Sequence, residues 1–355
     1  MTSVARSASP ASAPSLIRRF RLIGFSLIGI AVYFLILRLM LGNTGTATQQ
    51  VANALTLGAI YALVALGYTM VYGIIELINF AHGDVFMVGS FVALWTVTSD
   101  PWFQAIGLHQ TGTVTALPLL ALYLLVMFAV SMTVVGLLNV TIERLAYRPL
   151  RHAPRVAPLI TAIGVSLILQ NVIQIIVGTG DRPSPKIIPQ DAFPFLGAEI
   201  RFVNVFIVVT ALILMYILTL FVGRTRLGRA MRATAQDQQA AQLMGVDLNQ
   251  TIAITFLIGG ALAGAAGVFQ SQYFGFVRFD LGFNAGLKAF TAAVLGGIGN
   301  LTGAVLGGFL IAFVEVFAAA NGQQRWSQAI VFVVLITVLV FRPAGLLGQQ
   351  IGERA

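Results

Sequence analysis

FVNVFIVVTALILMYILTLFV (Phe202–Val222) leads into RTRLGRAMRATAQDQQAAQLMGVDLNQ (Arg224–Gln250), which leads into TIAITFLIGGALAGAAGVFQ (Thr251–Gln270). Each outer run has about twenty mostly apolar residues, the length that crosses a hydrocarbon core. The middle stretch is too polar for that core, where no water satisfies exposed polar groups, so it lies outside the bilayer. Arg224, Arg226, Arg229 and Arg232 at its start place it on the cytoplasmic side. Two helices joined by an ordered cytoplasmic loop are the repeating unit from which the rest of the chain is read.

Composition extends that unit to the whole protein. Only 9% of the 355 residues are charged and 58% are hydrophobic, whereas soluble domains carry about a quarter charged residues. The class is an all-α polytopic membrane protein. A barrel would show short strands of alternating polarity, not apolar runs of this length. The net charge of +9 does not point to nucleic acid. Nineteen of the twenty-one basic residues are Arg, set in short blocks at helix ends as topology signals are. With no cysteine there is no disulfide framework or thiolate metal site.

A count along the chain finds about ten membrane segments: Leu22–Leu41, Val51–Gly73, Val85–Val97, Thr115–Val140, Val156–Val177, Phe202–Val222, Thr251–Gln270, Ala285–Ile298, Leu301–Ala320 and Ser327–Phe341. Val85–Val97 and Ala285–Ile298 are short enough to be broken or re-entrant. Residues 1–21 are Ser-, Ala- and Pro-rich with Arg18, Arg19 and Arg21 at the end, a disordered cytoplasmic tail. A cleaved signal would have a shorter apolar core and a small-residue cleavage site. Residues 22–48 therefore read as a retained helix and short loop, with an organellar transit sequence as the alternative. Arg144, Arg148, Arg151 and Arg155 mark a second cytoplasmic connection. The Pro-rich connection Thr179–Arg201 has balanced charge, and Thr98–Gly112 carries only Asp100; both read as external. Both termini then fall inside.

Four groups of residues are candidates for function. In the cytoplasmic loop, Leu227, Ala230, Met231 and Thr234, then Ala240, Leu243, Met244 and Leu248, fall at helical spacing. Thr234 and Asp237 read as N-caps and Gly245 as a terminator. The bland reading is a solvated loop; apolar side chains on one face argue for a docking surface. Glu76, Asn79, His82 and Asp84 lie between two apolar runs, with Gly73 and Gly83 marking a helix break. They read as a path or gate, or as a structural hairpin whose groups pair locally. Thr56, Tyr61, Tyr68 and Thr69 lie along the second segment, facing a polar path or bonding between helices. Lys288 and Glu315 are isolated charges directed into the bundle. Gly299, Gly303 and Gly307, at i+4 intervals, read as a face for close helix packing. Neither lysine, Lys186 nor Lys288, has the Walker A context, and no Ser/His/Asp or carboxylate cluster suggests catalysis.

NALTLGAIYALVALGYTMVYGIIELINFAHGDVFMVGSF (Asn53–Phe91), ERLAYRPLR (Glu143–Arg151), LGRAMRATAQD (Leu227–Asp237) and LKAFTAAVLGGIGNLTGAVLGG (Leu287–Gly308) together resemble the branched-chain amino acid permease family of LivH type. The likeness runs from Gln49 to the C-terminus, so 49–345 reads as the permease domain and 346–355 as a cytoplasmic tail. Gln239-Ala240-Ala241-x-x-x-Gly245 is similar to the EAA-x-x-x-G element of ABC importer permeases, with Gln in place of Glu. The resemblance implies that 224–250 couples to ATPases through Arg226, Arg229, Arg232, Asp237, Gln239, Ala240, Ala241, Leu243, Met244 and Gly245. It also implies a second, related permease (or a copy of this chain), two ATPase subunits that use ATP and Mg, and an extracytoplasmic substrate-binding protein. This chain would bind no cofactor itself. The expected function is a permease subunit in a prokaryotic plasma membrane for branched-chain or related hydrophobic amino acids. Urea, short amides or another small polar solute is the alternative cargo, and an ion-coupled secondary transporter the alternative class.

Overall fold

The computed structural model describes residues 16–98, 113–114, 116–151, 153–154 and 156–348. The first fifteen residues of the expected tail, the Asp100 loop, Arg155 and the chain from 349 onward lie outside the described residues, as do the side chains of Arg18, Arg19 and Arg21.

Among the described residues the α-helices are α1 (Leu16–Leu41), α2 (Thr44–Ile75), α3 (His82–Thr98), α4 (Leu117–Ile142), α5 (Val156–Val177), α6 (Phe202–Arg224), α7 (Arg226–Gln236), α8 (Gln238–Leu243), α9 (Leu248–Phe274), α10 (Leu281–Gly296), α11 (Leu301–Ala320) and α12 (Ser327–Phe341). Each apolar stretch read from the sequence is helical. By length and composition seven helices among the described residues can cross a membrane: α2, α4 with its continuation to Leu150, α5, α6, α9, α11, and α12 extended back to Gln324. The stretches expected to be short are so, α3 with 17 residues and α10 with 16. The described apolar part of α1 is Leu27–Leu41.

Local chemistry moves several expected boundaries. The Asn43 side chain accepts from the Gly45 N–H at 2.8 Å, starting α2 at Thr44 and leaving only Gly42 and Asn43 between α1 and α2. The short loop expected up to residue 48 is therefore helix. The break after α2 falls at Glu76, whose φ of 53° is a left-handed conformation unusual for a residue with a side chain. Gly73 and Gly83 lie within the flanking helices. Gly83 serves packing instead: its α-carbon lies against the backbone of Gly286, and a side chain at either would hold α3 and α10 apart.

The Pro-rich connection is not purely irregular. β1 (Arg182–Pro183) pairs antiparallel with β4 (Phe276–Val277), and β2 (Ala192–Phe195) pairs with β3 (Ala198–Arg201). Leu196 and Gly197, with φ of 47° and 81°, make the tight turn of that hairpin. The fold is thus helical with a small stranded cap at one end, which we call the strand end. The opposite end carries the 143–154 connection and α7–α8, and is called the arginine end.

Helix α2 is the axis of the bundle, contacting α3, α9, α10 and α11. Its most apolar window is 89% buried, against 6% for that of α12. Composition explains the difference. α9 is rich in Gly and Ala, which let backbones approach, whereas α5, α6 and α12 present Ile168, Ile175, Ile213, Val333 and Ile336 outward, as helices facing hydrocarbon do. The expected Gly299/Gly303/Gly307 face needs correction. Gly299 lies in the turn before α11 with φ 86° and open space beside it. Gly303 and Gly307 do pack closely, against Gly296 and Ala292 of α10. The i+4 spacing held, but the helix starts two residues after Gly299.

Candidate functional site

At the arginine end, α7 begins where Thr225 Oγ1 accepts from the Gly228 N–H at 3.0 Å. Thr234, expected as a cap, is buried mid-helix and donates to the Ala230 carbonyl at 2.9 Å. Asp237 caps α8 as expected, accepting from the Gln239 and Ala240 N–H groups at 2.9 and 3.0 Å. Gly245, with φ 84°, follows the helix end in the conformation that suits glycine there. The loop has two faces. Met231, Thr234 and Ala241 point into the bundle, while Leu243 and Met244 are 88% and 84% exposed. Arg226, Arg229, Gln239 and Ala240 are exposed too, as is Leu227, which the spacing had put with Met231. Ala241 thus seats α8 rather than presenting a surface.

Side chains tie this loop to two helix ends. The last carbonyls of a helix lack intrahelical partners. Gln238 Nε2 donates to the Ile74 carbonyl of α2 at 2.7 Å, and the Arg232 guanidinium donates to the Val222 carbonyl of α6. These bonds join the loop directly to the ends of α2 and α6. Sequence reading missed Gln238, because its partner is 164 positions away. It also missed Glu143, which is buried in a π turn continuing α4 and ion-paired with Arg151. Arg151 Nη1 donates to Asn249 Oδ1 at 2.7 Å, fastening this turn to the start of α9. The only signal was an acidic residue opening an arginine-rich motif.

Within the bundle, the expected hairpin residues come together only in part. Asn79, His82 and Asp84 are 2%, 0% and 0% exposed, so none faces an open passage in this conformation. Asn79 Oδ1 accepts from the Tyr147 hydroxyl at 2.8 Å. Asp84 accepts from Ser166 Oγ and, at 3.0 Å, from Gln170 Nε2, joining α3 to the peripheral α5. His82 stacks edge-on against Tyr68 with centroids 4.8 Å apart, and its ring nitrogens make no hydrogen bond of good geometry. Thr56 is buried and donates to the Ala52 carbonyl of its own helix at 2.8 Å.

Tyr61 has different neighbours. Its hydroxyl donates to Glu315 Oε2 at 2.9 Å, and Lys288 Nζ lies 2.6 Å from Glu315 Oε1 and 3.2 Å from the Tyr61 oxygen. Helices α2, α10 and α11 thus bring into one cluster three residues that the sequence presented singly. The Lys288 and Glu315 side chains remain 17% and 16% exposed.

The chain matches the family model described as branched-chain amino acid transport system / permease component over residues 50–339. It is 44% identical over 311 residues to the high-affinity branched-chain amino acid transport system permease protein BraD of Pseudomonas aeruginosa, covering 86% of this chain and 97% of the relative. Identity to LivH of Escherichia coli strain K12, a permease protein of the same description, is 39% over 310 residues, with 86% and 97% covered. A shorter match, 31% over 137 residues, is to the autoinducer 2 import system permease protein LsrC of Yersinia enterocolitica, covering 37% of this chain and 38% of the relative. No solved structure matches. A helical bundle with capped helices at its arginine end, matched along nearly all its spanning length, belongs to the family of branched-chain amino acid transport system permease components.

Proposed function

We propose that the chain is the membrane-embedded subunit of an ATP-driven importer that moves branched-chain or related hydrophobic amino acids across a prokaryotic plasma membrane. Ten crossings, with both termini and the arginine end in the cytoplasm, are consistent with the ten apolar helices and the placement of the arginines. In this reading α3 and α10 are short crossings shielded inside the bundle. Two ATPase subunits, using ATP and Mg, grip α7–α8 from the cytoplasm. A loaded binding protein meets the strand end outside, and a second related permease or a copy of this chain completes the passage.

The observation that carries the reading is the pair Leu243 and Met244, 88% and 84% exposed at the tip of a helix whose opposite side packs on the bundle. Apolar side chains projecting together beyond an arginine-rich end suit insertion into a partner. The links from Gln238 to α2 and from Arg232 to α6 supply the route by which closure of the ATPases would move the helices, a bistable element biased by nucleotide. The test is reconstitution in proteoliposomes: leucine uptake should require ATP, the ATPases, the partner permease and the binding protein. Uptake that collapses with the proton gradient and survives loss of the ATPases would establish a secondary transporter instead. Urea, a short amide or another small polar solute is the alternative cargo on the same scaffold, which the same vesicles test.

A further inference from the structure

Lys288 lies halfway along α10, about 10–12 Å from either end at 1.5 Å per residue. Its partner Glu315 is on α11, and Tyr61 is near the middle of α2. A charge pair at this depth, with both side chains partly uncovered, does not suit contact with lipid chains. Such groups face protein, water or a solute.

Polar side chains also lie on the strand-end side of this cluster. On α2, Gln49 to Asn53 are half-buried, whereas Gly58 to Val71 are buried throughout. Gln49 Nε2 and the Tyr273 hydroxyl both donate to Asn53 Oδ1, at 3.3 and 3.4 Å. Asn284 is exposed one turn of α10 closer to the strand end than Lys288, on the same side of that helix. Polar side chains of α2, α9 and α10 thus lie between the strand end and Tyr61, Lys288 and Glu315, and α2 beyond Tyr61 is buried as far as Val71.

We infer that Lys288, Glu315 and Tyr61 form a mid-membrane station for the charged end of a zwitterionic α-amino acid. Lys288 receives the carboxylate, and Glu315 with the Tyr61 hydroxyl receives the α-ammonium. The empty station is satisfied by its own ion pair, so neither charge is left bare in a low-dielectric setting. A zwitterion replaces that pair with two matched contacts and leaves no charge over. A solute with a single charge leaves one protein group unpaired, which disfavours it. The aliphatic side chain of the solute rests on the apolar bundle. The inference rests on the amino-acid importer reading above.

The test uses the complete importer with its ATPases and binding protein, reconstituted in proteoliposomes and assayed with radiolabelled leucine. Absence of ATP-dependent uptake with the unaltered chain would overturn the importer reading on which the station rests. With uptake present, the neutral pair Lys288→Met/Glu315→Gln should lower it at least tenfold while the complex still co-purifies. The exchange Lys288→Glu/Glu315→Lys keeps an ion pair and its packing role but inverts its polarity, and uptake should stay at least tenfold low. Tyr61→Phe removes one hydroxyl and should slow uptake at least threefold with unchanged assembly and melting temperature. The station is overturned if the exchange restores uptake to within twofold of the unaltered chain, because the pair is then structural. It is equally overturned if the neutral pair transports normally or if Tyr61→Phe has no effect. Should both charge variants fail to assemble, Tyr61→Phe decides between the two outcomes.

Discussion

Asp84 shows how a polar residue in an apolar helix is held. It is fully buried and accepts from Ser166 and Gln170, so removing the carboxylate strands two donors. A buried polar group without a partner costs about 1–3 kcal/mol. Asp84→Ala should therefore lower the melting temperature in detergent by several degrees. A double-mutant cycle with Ser166→Ala should give a coupling of about 0.5–3 kcal/mol; additive losses would show that the bond contributes little. Asp84→Asn retains an acceptor and should assemble, with lower uptake in proteoliposomes. Glu76 sits in the left-handed region, which is adverse for a residue branched at its β-carbon. Glu76→Val should destabilise the bundle more than Glu76→Gly, by about 1–2 kcal/mol, as thermal unfolding would measure.

The elements that matter most for the proposed coupling are α7 and α8, where surface and packing roles alternate along a few residues. Leu243→Asp together with Met244→Asp should reduce co-purification of the ATPases at least tenfold while leaving the melting temperature of the permease unchanged, since both side chains are exposed. Retention of the ATPases would remove the docking surface from the proposal. Ala241→Arg should behave differently, because Ala241 is only 4% exposed and a long charged side chain there unseats α8. The resemblance to the EAA-x-x-x-G element placed Ala241 with the docking residues; the direction in which the short helix lies against the bundle puts it underneath. The α3–α10 contact obeys similar logic. Gly286→Leu would push a side chain into the Gly83 backbone and should abolish stable expression, whereas a leucine at Gly164, with open space around it, should be tolerated.

The whole molecule allows an economical test of orientation, because the chain has no cysteine of its own. Phe195, in the stranded cap, and Leu243, the last residue of α8, are both exposed at opposite ends of the bundle. In intact cells a membrane-impermeant maleimide should label Phe195→Cys readily and Leu243→Cys only after permeabilisation. The reverse pattern would invert the proposed topology and place the coupling loop outside. The positions of the apolar helices were legible in the sequence because an apolar run of sufficient length is a local property. Among the described residues fewer can cross on length alone, since α3, α10 and the described apolar part of α1 fall short; α3 and α10 remain in place by burial within the bundle. Close backbone contacts, such as those of Gly303 with Gly296, make that burial possible.

The amino-acid sequence by itself determined the membrane class, the positions of the apolar helices, the polar loop at 224–250 and the Asp237 cap. These follow from hydropathy, segment length and near-neighbour hydrogen bonding, conditions that hold whatever the helices pack against. The family was legible in the same way, in motifs read along the chain. Only the tertiary structure decided that Tyr61 meets Glu315 across 254 positions, that Asp84 meets Ser166 across 82, and that Gln238 holds the end of α2. Such pairings depend on how each helix is rotated about its axis. In helices apolar on every side, packing between neighbours sets that rotation, and no amphipathic pattern within the single helix records it.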